Sequence, residues 1–152
     1  MKGFSLIEIT LVIGVFFILI GLVTMNLFKT QHTSQLSSTV NSFLADYKEQ
    51  QIKAMAGDTG GTGAFANYGV HLENSSYTLF RGTYGSADFS VNLPPGTQFL
   101  TTLPGSQVLF LKGSGEVSGF VNGENTITLK DTGDNSQQTI TINKYGVVTS
   151  VN

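Results

Sequence analysis

Residues 1–28 read Met-Lys-Gly-Phe-Ser-Leu-Ile-Glu and then Ile-Thr-Leu-Val-Ile-Gly-Val-Phe-Phe-Ile-Leu-Ile-Gly-Leu-Val-Thr-Met-Asn-Leu-Phe. The second part, residues 9–28, runs for twenty residues without a charge. As a helix rising ~1.5 Å per residue it is ~30 Å long, which matches the hydrocarbon core of a bilayer. Glu8 stands at its front edge with no basic residue within helical reach. A carboxylate at such depth costs ~2.5–3.5 kcal/mol on insertion scales, so Glu8 reads as a functional residue. A cleaved secretory signal fits poorly, because its apolar region spans only about 7–15 residues and ends in a small-residue site. A plain signal anchor gives no reason to keep Glu8. Lys2 and Lys29 flank the run at opposite ends, so charge bias does not orient it.

Outward from this stretch, residues 4–56 contain no proline, and their only glycines are Gly14 and Gly21. The next breaker is Gly57. The pattern predicts one near-continuous helix, ~80 Å long. Its second half changes character. Leu36, Val40, Phe43, Leu44, Tyr47 and Ala54 form one apolar stripe, with Ser34, Ser38, Asn41, Asp46, Lys48, Glu49 and Lys53 mostly off it. Gly14 and Gly21 lie near one face of the first half, where glycine permits close helix approach in a membrane. Residues 57–63 are Gly-Asp-Thr-Gly-Gly-Thr-Gly. They lack the Lys-Ser or Lys-Thr ending of a phosphate loop and follow a helix, so they read as a C-cap and connection.

From Tyr68 the period becomes two. Residues 68–72 and 77–81 predict a hairpin around Asn74-Ser75-Ser76. Short strands are expected at residues 89–91, 98–103, 125–130, 139–143 and 147–151. Residues 108–111, Val-Leu-Phe-Leu, are apolar on both faces and predict a central strand. Pro94-Pro95-Gly96, Gly113-Ser114-Gly115, Asn122-Gly123 and Lys144-Tyr145-Gly146 mark turns, the middle two bracketing residues 116–121. The fold class is α+β, a long N-terminal helix packed on a small antiparallel sheet.

Composition narrows the function classes. The 152 residues carry 12% charged side chains, a net charge of −2 and no cysteine. Disulfides and thiolate metal sites are excluded, and no polyanion partner is implied. No catalytic constellation is present, because His32 and His71 lack a motif joining them to Ser or Asp and read as lone surface residues. Asp131-Thr132-Gly133-Asp134-Asn135 offers oxygen ligands but lacks the ordered spacing and bidentate Glu of a calcium loop, so a hairpin turn is the expected reading. No metal and no cofactor is expected.

Gly3-Phe4 followed by Ser5-Leu6-Ile7-Glu8 and an apolar run resembles the class III leader of type IV pilins and type II secretion pseudopilins. The resemblance implies cleavage by a prepilin peptidase between Gly3 and Phe4, N-methylation of Phe4, and Glu8 as the assembly residue. The major pilins of the family carry a proline in this span, which this chain lacks. The order of strands and turns after Tyr68, through Leu-Pro-Pro-Gly, Val-Leu-Phe-Leu and Thr-Ile-Thr-Ile-Asn-Lys-Tyr-Gly-Val-Val, is similar to the H-type minor pseudopilin domain and related minor pilins.

The implied organisation is a leader at residues 1–3, a transmembrane half-helix at 4–28, an amphipathic half-helix at 29–56 and a β-rich domain at 57–152. Other pilin or pseudopilin subunits, the prepilin peptidase and membrane lipid are the implied partners. The implied location is the inner membrane as a single-pass precursor, then a periplasmic or cell-surface filament. Cleavage after Gly3 creates an α-amine, mostly cationic near neutrality because such amines titrate at ~7.7–8.0, and the amine of the same chain or, in a filament, of a neighbour could pair with Glu8. The alternative is a membrane-anchored binding module for adhesion or DNA uptake. DNA binding is disfavoured, because the basic residues after Gly57 are only Arg81, Lys112, Lys130 and Lys144.

Overall fold

A computed structural model describes residues 5–85 and 89–152, with the side chains of residues 23–32 outside that description. The first element is a single helix, α1 (Leu6–Ala56), of 51 residues. At ~1.5 Å per residue it is about 77 Å long, as the absence of breakers predicts. Its end is set by Gly57 in the left-handed conformation, φ 68° and ψ 37°. Asp58 N–H donates to Lys53 O at 3.0 Å and Gly57 N–H to Ala54 O at 3.4 Å, a Schellman termination. Gly113 N–H also donates to Ala54 O, at 2.8 Å, so a loop of the β domain closes the helix.

Eight strands follow: β1 (Tyr68–Leu72), β2 (Ser76–Arg81), β3 (Phe89–Asn92), β4 (Thr97–Thr101), β5 (Gln107–Phe110), β6 (Thr126–Asp131), β7 (Gln137–Ile142) and β8 (Val148–Val151). They form two four-stranded antiparallel sheets and not the single sheet expected, in the orders β3-β2-β1-β5 and β4-β6-β7-β8. The chain passes between the sheets three times, from β3 to β4 at Pro94-Pro95-Gly96, from β4 to β5 and from β5 to β6. Backbone bonds stitch the sheets at both ends: Phe99 N–H donates to Asn74 O at 2.9 Å, and Val117 N–H to Lys144 O at 2.9 Å.

Three strand expectations change. β5 lies at a sheet edge and not at the centre. Its far side is closed by the following loop, where Ser118 N–H donates to Leu109 O and Leu111 N–H to Glu116 O, each at 2.8 Å. Residues 116–121 supply only one bridge, Val117 to Phe110. β4 stops at Thr101 because a 3-10 turn, Pro104–Ser106, follows. Leu103 is buried all the same.

The core is the helix stripe against both sheets. The buried positions of α1 are Leu36, Val40, Phe43, Tyr47, Gln50 and Ala54. Their spacing alternates four and three, which keeps one face turned inward along five turns. Gln50 is a polar member that the apolar pattern did not reveal. Phe43 touches Tyr77 of β2 and Phe99 of β4, both with centroids at 5.2 Å. Tyr47 meets Phe110 of β5 edge-on at 5.0 Å, and its hydroxyl donates to Gly146 O at 3.1 Å. Burial pushes the Tyr47 phenol well above its ordinary pKa, so it remains a neutral donor.

Replacing Phe43 by Ala removes the ring that both sheets share. The expected loss is ~3–5 kcal/mol, read as a lower urea midpoint of the β domain. Tyr47→Phe deletes only the hydroxyl bond and costs about 1 kcal/mol. Equal effects of the two would contradict this packing.

Candidate functional site

Ser5 precedes the first turn of α1 with φ −78° and ψ 149°, the extended conformation of an N-cap. Glu8 is then the third helical residue. Ser5 N–H donates to Glu8 Oε2 at 3.0 Å. The carboxylate thus holds the helix start, where the aligned peptide dipoles favour a negative charge. No basic residue lies within helical reach of Glu8, and its partner here is a backbone N–H. The signal was present in the sequence as Ser-x-x-Glu before an apolar run, the signature of a capping box.

The same half-helix is bare. Leu6 is 85% exposed and Phe17 70%, and every residue from Ser5 to Leu22 is exposed. Thr10 donates its hydroxyl to Leu6 O at 2.6 Å, so the polar group in this apolar surface is satisfied within the helix. A Cβ built on Gly14 or Gly21 meets no atom of the described structure within 4 Å. Neither glycine packs against another of the described residues. Gly3 and Phe4 lie outside the described residues, as does the side chain of His32. Among the described residues no helix is long and apolar enough to cross a membrane. The uncharged run continues through residues 23–28, whose side chains fall outside that set.

His71 departs from the lone surface residue expected. In β1, Tyr68, Val70 and Leu72 point to the core, which leaves Gly69 and His71 on the outer face. Phe80 of β2 lies over Gly69, where a Cβ would stand 2.4 Å from its ring. Tyr84 packs edge-on to Phe80 and stacks on His71 at 3.9 Å. Its hydroxyl donates to Glu73 Oε1 at 2.9 Å, while Ser76 donates to Glu73 Oε2 at 2.8 Å. This is a second, smaller core on the outside of the first sheet.

The remaining polar residues are used structurally. Arg81 Nη2 donates to Thr62 Oγ1 at 2.7 Å and also to Ala64 O. It thereby holds the connection after Gly57 against β2. In the β6–β7 turn, Gly133 N–H donates to Asp131 Oδ1 at 2.7 Å and Ser136 N–H to Asp134 Oδ1 at 2.9 Å. Those carboxylates shape their own turn, and among the described residues no group of three or more metal-ligating side chains gathers. Lys112, Lys130 and Lys144 sit on separate elements, and Lys144 Nζ lies 4.7 Å from the Tyr145 ring centroid.

No protein-family model and no curated protein matches the chain. Among solved structures, its fold is similar to that of the minor pseudopilin EpsH from the Type 2 Secretion System of Vibrio cholerae. The TM-score is 0.54 at 18% identity, over 78% of this chain and 96% of that one. At that identity the likeness shows a similar fold and nothing beyond it.

The Ser76 bond first, then the Tyr84 bond, hold the Glu73 carboxyl below its ordinary pKa. A lowered folded-state pKa stabilises above the unfolded value and loses that effect as pH falls through the folded one. In Tyr84→Phe, Glu73 should titrate closer to the ordinary carboxylate value. The check is its side-chain carboxyl shift followed by NMR against pH. An unchanged titration would show that the Tyr84 bond does not form.

Proposed function

We propose that this chain is a structural subunit, a minor pilin or pseudopilin, of a type II secretion-like or type IV pilus filament. It is made as a precursor anchored in the inner membrane by its uncharged helix half. A prepilin peptidase cuts between Gly3 and Phe4, Phe4 becomes N-methylated, and the helix passes from lipid into the filament core. The β domain then faces the periplasm or the cell exterior. It performs no reaction of its own. The supporting observation is the pairing of a minor-pseudopilin fold with a protruding apolar half-helix that this chain leaves bare.

In this reading Glu8 does two things. One oxygen accepts Ser5 N–H at 3.0 Å and starts the helix. The other is available to the cationic amine of a neighbouring Phe4, in surroundings where a lone carboxylate is costly. The two roles separate by substitution. Glu8→Gln keeps an acceptor for Ser5 N–H and removes the charge, whereas Glu8→Ala removes both. Charge pairing predicts that both variants insert in the membrane but fail to enter filaments. Normal incorporation of Glu8→Gln would reduce Glu8 to a helix cap. N-terminal mass analysis of the mature chain should begin at a methylated Phe4. An intact Met1 in assembled material would overturn the processing.

A further inference from the structure

Glycine follows only one of the chain's asparagines, Asn122. The pair stands in the return loop after β5, where residues 121–124 belong to no strand and are all exposed. Glu124 N–H donates to Val121 O at 3.2 Å and Gly123 has φ 92°, so Asn122 and Gly123 are the central residues of a type II turn. That single bond ties the turn among the described residues. Neither the Asn122 side chain nor Gly123 N–H has a partner there. A Cβ built on Gly123 meets nothing within 4 Å, so the space around its nitrogen is open.

The fold withholds the other asparagines from the same chemistry. A backbone nitrogen attacks the side chain of the residue before it only when that nitrogen is free. Ser136 N, which follows Asn135, is bound to Asp134 Oδ1 at 2.9 Å. Thr126 N, which follows Asn125, is bound to Thr102 Oγ1 at 3.0 Å. Leu93 N, which follows Asn92, is bound to Ser75 O at 2.9 Å. The Asn67 side chain holds Lys112 N–H at 2.9 Å, and that of Asn143 holds Tyr145 N–H at 3.0 Å and Val147 N–H at 3.1 Å. Asn74 is the next most accessible, but the side chain of Ser75 crowds its attacking nitrogen.

We propose that Asn122 is a site of spontaneous covalent modification, converted to aspartate and isoaspartate by its own backbone. Gly123 N gives up its proton and attacks Asn122 Cγ. The new C–N bond closes a succinimide, the Cγ–Nδ2 bond breaks, and the departing nitrogen takes up a proton and leaves as ammonia. Water then opens the ring. Addition at Cγ gives aspartate, and addition at the Asn122 backbone carbonyl carbon gives isoaspartate. Either product carries a carboxylate two residues from Glu124 and makes the chain one unit more negative than its net −2. Isoaspartate also routes the main chain through the side chain, which lengthens the turn by one carbon. Ring closure needs the turn to rotate until nitrogen meets Cγ, and an exposed turn tied by one bond is free to do so.

The full-length chain in detergent is incubated in mildly acidic and mildly alkaline buffer, digested and mapped by mass spectrometry. The peptide holding Asn122 should gain the mass of an acid replacing an amide, about tenfold faster than the peptide of any other asparagine. The rate should rise in alkali, because the attacking nitrogen must lose its proton. An isoaspartyl-specific methyltransferase should label the same peptide. Asn122→Gln should remove both signals and leave the melting of the β domain unchanged. Repeating the incubation in denaturant should speed conversion at Asn125 and Asn143, whose bonds are then lost, and leave the rate at Asn122 nearly as it was. Conversion at Asn122 that begins only in denaturant, or that Asn74 matches in the folded chain, overturns the proposal.

Discussion

One helix face carries the whole β domain. Phe43 is the only aromatic residue of α1 in ring contact with both sheets among the described residues, through Tyr77 on one side and Phe99 on the other. Neither sheet buries its inner face without the helix. Without it, two small sheets held by the backbone bonds Asn74–Phe99 and Val117–Lys144 and the Tyr77–Phe99 ring contact would expose most of Ile127, Leu129, Ile140 and Ile142, which are fully buried here. At ~25 cal/mol per Å² of apolar surface, four such side chains represent several kcal/mol, comparable to the net stability of a small domain. The helix stripe is therefore a structural requirement of the β domain and not an accessory to it.

That dependence explains what could be read from the sequence. The length of α1, its end at Gly57 and the positions of Phe43 and Tyr47 follow from local signals: absence of breakers, a left-handed cap and a helical apolar period. The hairpins follow from turn residues and alternation. The division into two sheets has no local signal, because pairing partners such as Leu100 and Thr128 are far apart in sequence and alternation says nothing about which strand lies alongside. β5 shows the limit of composition. Its apolar faces suggested a central strand, but it lies at an edge whose backbone groups pair with a return loop. Gln50 was hidden for the opposite reason, since its side chain gives no apolar mark although its position completes the spacing.

For the candidate site, the sequence singled out Glu8 but not its local bond. Glu8 stood out because an acid precedes twenty uncharged residues. Its bond to Ser5 was less visible, because the depth of the charge is a stronger signal than the Ser-x-x-Glu spacing. His71 and Glu73 could not be foreseen as a unit, because Tyr84, which joins them, arrives from the following loop.

The two halves of α1 obey opposite rules while sharing one backbone. The C-terminal half buries a stripe and exposes charge; the N-terminal half exposes apolar side chains all round and carries no charge beyond Glu8 among residues 5–28. A water-exposed surface of that kind is unfavourable, so the N-terminal half requires another apolar phase, either lipid or protein. The two phases differ in what they offer Glu8. Lipid supplies no donor, leaving the carboxylate with Ser5 N–H and a large desolvation cost. In the proposed filament a neighbouring subunit would supply a cationic amine and further helix surface together. On the proposed reading, the residue that would make the membrane an expensive resting place would also favour the filament, while its bond to Ser5 N–H holds the carboxylate at the helix start.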